Sequence, residues 1–183
     1  MRAPRWRVQR HPSATVLSTA LGDNIGTAQL AISDRNPTVS SLAAGWREAI
    51  TQTNTGFSNV QWNHQLEVPV TTLSHLISVY GEPVFCKIDV EGHEAAVLAG
   101  LNCPIDALSF EFVPGTVSVA KACVDRLMRL GHYHFNVSYG ERRRLEFTRW
   151  VSNQAILRWL ESADQQVQSG DIYAKRIDRG EDV

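Results

Sequence analysis

Apolar and polar positions follow two periods along this chain, and each switch between them marks an element. The run ATVLSTALG (14–22) is apolar and β-branched and stops at the turn signal GDNIG, which predicts a strand. GTAQLAIS (26–33) alternates enough for a second strand. SDRNPTVSSL (33–42) has loop chemistry, with Asn36-Pro37 and paired serines. Residues 43–65 are polar, with Trp46, Phe57 and Trp62 as isolated anchors, and their pattern assigns no element. LEVPVTTL (66–73) reads as a strand end or extended segment, because Pro69 has no N–H to give a central ladder. TLSHLISVYG (72–81) has the spacing of a short helix with a glycine stop.

The second half is more regular. PVFCKIDV (83–90) is a nearly continuous apolar run, the pattern of a strand covered on both faces. HEAAVLAGL (93–101) is helical in composition, and DALSFEFV (106–113) is another apolar strand. TVSVAKACVDRLMRLG (116–131) is a helix with Val119, Cys123, Leu127 and Leu130 on one stripe. HYHFNVSY (132–139) alternates as a strand, residues 140–151 form a charged hairpin or loop, NQAILRWLESA (153–163) is a helix, and GDIYAKR (170–176) is a last strand. Strands alternating with helices predict an α/β fold with a largely parallel sheet. One domain spans residues 1–183, with a ragged basic lead-in at 1–12 and a frayed tail at 177–183.

Composition narrows the class. A chain of 183 residues is long enough for one domain with a core, or for part of a larger one. With 43% hydrophobic and 20% charged residues it is globular, and a net charge of −1 gives no electrostatic reason for a nucleic-acid or anionic-membrane partner. No apolar run approaches the length that spans a bilayer. MRAPRWRVQRHP has four arginines with no apolar stretch behind them, which is not a secretory signal. Cys86, Cys103 and Cys123 are odd in number and far apart, fitting neither a disulfide framework nor a zinc pattern. These features together predict a cytoplasmic protein with reduced thiols.

The chemistry concentrates in FCKIDVEGHEAAVLAGL (85–101), where Asp89, Glu91 and Glu94 follow directly on an apolar strand. Ligands of open α/β sheets bind beyond the carboxyl ends of the strands, and Asp89 lies at such an end. Glu94 shares a helix face with Val97, Leu98 and Leu101, so it caps the inward stripe. Glu111 repeats the pattern near the end of the next strand. Acids in a first helical turn also stabilise the helix dipole, by about 0.3–1 kcal/mol each, and that suffices for Glu91 or Glu94. It does not suffice for Asp89 and Glu111, which interrupt apolar strands. His93, beside the acids, is either a base or an exposed first-turn residue. Ser41 precedes an apolar helical start and suits a helix cap. His132 and His134 lack a third ligand nearby and read as polar-face residues, so no metal ligands are assigned. ERRRLEF (141–147) reads as a solvated loop rather than a phosphate grip.

VPVTTLSHLI, then CKIDVEGHEAAVLAGL and LSFEF, resemble the FkbM-type methyltransferases, and TALGDNIGTAQLAIS and NPTVSSL resemble them upstream in the same order. The likeness covers roughly residues 14–115 and is most specific around 87–98. It implies a Rossmann-like class I methyltransferase sheet, S-adenosylmethionine as methyl donor, and O-methylation of a hydroxyl on a sugar, polyketide or related metabolite. It makes the strand ending at Asp89 the fourth of that sheet. Asp89, Glu91 and Glu94 match the family's motif, and Ser40 and Ser41 its paired serines. In the family, a glycine-rich loop and a ribose-binding acid precede these segments, so the chain reads as N-terminally incomplete, from the third strand onward. Gly22 and Asp23 in LGDNIG are the nearest stand-in for a cofactor loop, but a strand-like segment follows where a helix is needed.

Two functions follow. One is an O-methyltransferase, or its catalytic half, with a small-molecule hydroxyl acceptor and Asp89 or Glu111 accepting the hydroxyl proton or orienting the acceptor. The other is a non-catalytic, truncated relative that binds a partner or forms a homodimer through an exposed sheet edge.

Overall fold

The computed structural model describes residues 13–140, 142, 144–163 and 169–177. Seven strands and five α-helices are present among them. The first part comprises β1 (Ala20–Leu21), β2 (Gly26–Ile32), α1 (Ala44–Thr53), β3 (His64–Thr71) and α2 (Leu73–Tyr80). The second comprises β4 (Cys86–Ile88), α3 (Glu94–Ala99), β5 (Ala107–Phe112), α4 (Val117–Leu130), β6 (Tyr133–Tyr139), α5 (Asn153–Ala163) and β7 (Gly170–Arg176). The basic lead-in at 1–12 lies outside the described residues, as do 178–183 of the tail.

The α/β class holds, but the sheet is neither single nor mostly parallel. Three strands form one sheet in the order β1-β3-β2, and four form another in the order β4-β5-β7-β6. β4 runs parallel to β5, while β7 lies antiparallel between β5 and β6. In the smaller sheet β3 runs parallel to β1 and antiparallel to β2. Sequence periodicity is blind to strand direction, and β7 reads the same either way.

Pro69 sits inside the central strand of the smaller sheet, contrary to the expectation that it marks a strand end. β1 is short enough to accommodate it: its partners begin at Val70, one residue past the proline. Thr27 is the register partner of Pro69 on β2, and the Pro69 carbonyl accepts the Thr19 hydroxyl at 3.0 Å. The strand expected over 14–22 shrinks to Ala20–Leu21 for the same reason, since only those residues find a neighbour.

One face of the four-stranded sheet carries Ile88, Leu108, Phe110, Phe112, Phe135, Val137 and Ile172 into a core with Val97 and Leu98 of α3, Cys123 and Leu127 of α4, and Ile156 and Leu160 of α5. Of the stripe expected on α4, Cys123 and Leu127 enter this core. Val119 packs instead on a second cluster of Trp46, Ile50 and Val113. β6 is buried almost throughout rather than alternately, because residues 146–151 run along its outer edge. Glu146 N–H donates to the Val137 carbonyl at 2.8 Å, and Phe135 and Val151 exchange two bonds of 2.8 Å.

The opposite face of this sheet is polar. Strand alternation and register put Lys87, Ser109, Glu111, Asp171 and Tyr173 there. β4 is therefore not covered on both faces as its apolar run suggests. Val84 just before it is 91% exposed and Phe85 47% exposed. Where the smaller sheet meets α3, backbone touches backbone. A Cβ on Gly100 would lie 2.2 Å from the Gly22 carbonyl oxygen, so only glycine fits.

Candidate functional site

The chain leaves β4 at Ile88 and enters α3 at Glu94 through a turn whose backbone only certain residues tolerate. Glu91 has φ +52° and Gly92 has φ +87°. Three neighbours hold this turn. The carboxylate of Glu94, 2% exposed, accepts the Val90 and Gly92 amides through one oxygen, each at 3.2 Å. The Ser41 hydroxyl donates to the Glu91 carbonyl at 2.6 Å and accepts the Ala43 amide at 2.9 Å. The Trp46 ring of α1 packs where any Cβ on Gly92 would stand, and its Nε1 donates to Thr116 Oγ1 at 3.1 Å. Ser41 thus ties the approach to α1 onto the turn, while Ala43, not Ser41, occupies the helix-cap position.

The turn aims acids at one another. Asp89, Glu91 and Glu111 each place a carboxylate oxygen within 4.8 Å of the other two. Burial, then repulsion from Asp89 and Glu94, pushes Glu91 up to about 7. Burial, then Glu91, Asp89, Glu94 and Asp171, pushes Glu111 up to about 8. Burial also raises Glu94, opposed by its backbone amide bonds. The set lacks positive charge, and it suits a hard divalent cation or another small cationic group. Lys87 supplies part of that charge. Its Nζ lies 3.0 Å from one Asp171 oxygen and 3.4 Å from Asp89. Burial alone would lower Lys87, but Asp171 and Asp89 hold its ammonium above the ordinary lysine value.

A cavity of about 300 Å³ opens beside the turn, between the two sheets. Asp89, His93 and Ser40 line it with Thr19, and Leu21, Leu30 and Leu42 supply apolar wall. Burial lowers the His93 imidazole, partly offset by Asp23, so the ring is neutral near pH 7 and able to accept a proton. A larger cavity, about 590 Å³, lies at the other end of β5 and holds none of these groups. The smaller one is the candidate for chemistry, because the proton acceptors line it.

The sequence-derived candidates therefore separate. Asp89, Glu91 and Glu111 converge, and Asp89, His93 and Ser40 share a cavity. Glu94 and Ser41 are spent on holding the turn. Gly22 is buried at the sheet joint, and exposed Asp23 acts on His93 through its charge. His134 lies at the β6 end that registers, through Lys175, with the start of β5, away from the acids. Sequence reasoning passed over Lys87, Asp171 and Trp46. Lys87 had a signal: it stands two residues before Asp89 in a strand, hence on the same face.

The raised acids have a consequence for stability. Glu111 holds its proton in the fold up to about pH 8, whereas unfolded it loses it near the ordinary glutamate value of 4.5. The folded state thus binds more protons between those values, and stability falls as pH rises through that window. Glu111→Gln is expected to flatten this dependence and to stabilise the chain by about 1–2 kcal/mol near pH 9. Urea midpoints at about pH 5 and about pH 9 measure it. An unchanged pH dependence in the variant would assign the effect elsewhere.

The α/β fold thus places Asp89 and the His93 imidazole around a cavity beyond the end of β4, the position at which open α/β sheets hold their ligands. The sequence profile of the methyltransferase FkbM domain matches residues 4–167, and the chain belongs to that methyltransferase family. The match runs well past residue 115, where the motif likeness ended. No curated protein and no solved structure matches the chain. Among the described residues, no helix is long and apolar enough to cross a membrane.

Proposed function

We propose that this chain is an S-adenosylmethionine-dependent O-methyltransferase acting on a hydroxyl of a sugar or similar metabolite. The observation that carries the reading is the cavity shared by Asp89, His93 and Ser40, with Glu91 and Glu111 beside it. When bound, S-adenosylmethionine supplies an electrophilic methyl group on a cationic sulfur. The donor set fits that end of the cofactor: Asp89 and Glu91, beside a protonated Glu111, favour a cation over its neutral product. The described residues offer the nucleoside end less, since the Gly22-Asp23 turn leads into β2 rather than a helix.

Within the cavity, Asp89 and neutral His93 are the groups able to take the acceptor's hydroxyl proton. Ser40 donates to the Pro37 carbonyl at 2.8 Å, leaving its lone pairs to orient a hydroxyl. Protonated Glu111 at neutral pH donates rather than accepts. Leu21, Leu30 and Leu42 exclude water around the pair.

A calorimetric titration tests this. S-adenosylmethionine is expected to bind weakly, in the millimolar range, and more tightly than S-adenosylhomocysteine, which has no charge on sulfur. Equal affinity for both would sink the electrostatic argument. The rival reading is a non-catalytic module that dimerises through β4, favoured by the absence of a second strand neighbour for β4 among the described residues. It predicts no saturable heat with either ligand.

A further inference from the structure

The 590 Å³ cavity has a different chemistry from the methyl-transfer candidate and lies at the opposite strand ends. Its floor is β5 and β7, where the small side chain of Ala107 leaves room beside Tyr173. Phe85 leans in from the β4 side and stacks on Tyr173, with ring centroids 6.2 Å apart and planes at 29°. Trp150 comes from beyond β6 and is 38% exposed. Soluble proteins seldom leave three aromatic rings around one accessible hollow without a use for them.

The charge around these rings is positive. Lys175 follows Tyr173 by two residues on β7 and so shares its face. It is exposed and makes no ion pair with any described residue. Arg176 meets Asp106 at 3.3 Å, which offsets one charge and leaves that of Lys175. The acids of the methyl-transfer candidate are absent from this lining.

We propose that this cavity is a second binding site, which takes a planar aromatic ring carrying a negative charge, stacked on the Phe85–Tyr173–Trp150 surface with its anion toward Lys175. Rings offer stacking to any flat π system, and the unpaired ammonium selects an anionic one. The site stands independently of the methyl-transfer reading, since it shares no residue with it.

Adenosine monophosphate is the probe, with adenosine and inorganic phosphate as its two halves. Titration followed by calorimetry is expected to give saturable binding of the nucleotide, about tenfold tighter than either half. Lys175→Glu and Trp150→Ala are each expected to weaken it by about tenfold or more, with unchanged far-ultraviolet circular dichroism. Trp150→Phe, which keeps a ring, is expected to retain most of the affinity and guards against a folding defect in the alanine variant. Asp89→Asn is expected to leave nucleotide binding unaltered. No saturable binding, affinity indifferent to Lys175→Glu and Trp150→Ala, or adenosine binding as tightly as the nucleotide would each overturn the proposal.

Discussion

Replacing Asp89 by asparagine is expected to lower methyl transfer by about 10²–10³-fold while leaving thermal stability nearly unchanged. The carboxamide keeps the shape of the side chain and most of its hydrogen bonding, but loses the charge. Two consequences follow at the site. The cavity loses one of its two proton acceptors, with His93 left as the other. The cluster of Asp89, Glu91 and Glu111 becomes less negative, so a cationic methyl donor is held less well. Stability is spared because Asp89 is half exposed and Lys87 keeps Asp171, its closer partner, at 3.0 Å. The measurement is initial rate against a hydroxyl acceptor, with melting curves in parallel. Full activity with a lowered melting temperature would make Asp89 a structural residue and remove it from the mechanism.

Gly92→Ala is expected to be the most damaging single substitution for the fold, at about 3–5 kcal/mol. Two costs add. An alanine at φ +87° occupies backbone space that L side chains rarely adopt, at about 1–2 kcal/mol. Its methyl would also stand 2.1 Å from the Trp46 ring, which cannot yield without losing Phe57, Trp62 and the Thr116 hydroxyl. The turn carrying Glu91 and the helix carrying Trp46 must then separate. Urea unfolding reads the loss, with Gly45→Ala as comparison, because nothing lies within 4 Å of a Cβ there. A difference below about 1 kcal/mol between the two would show that the turn relaxes freely.

Much of the site was legible because strand ends are local. An acid placed just past an apolar run lands on the rim wherever the strand is put, and Asp89 and Glu111 meet because β4 and β5 are parallel neighbours. The split between two sheets was not legible, since pairing depends on residues far apart in sequence. Pro69 shows the limit best. Its missing amide excludes a central position only when both neighbouring strands reach it, and β1 does not. Trp46 looked like an isolated anchor in a polar stretch, yet that stretch holds α1. Its role needed the position of Gly92, which is far along the chain yet packs directly against its ring.

The seam between Gly22 and Gly100 sets the gauge of the cavity beside Asp89 and His93. The walls bearing Leu21 and His93 belong to segments that adjoin at this seam, and no side chain is interposed there to compress or swing aside. The gap is thus ruled by main-chain thickness rather than by packing. Trimming Leu30 or Leu42 deepens the cavity without moving its walls. A single methyl added at position 100 would act as a wedge, prising the smaller sheet from α3 and widening the cavity at its base.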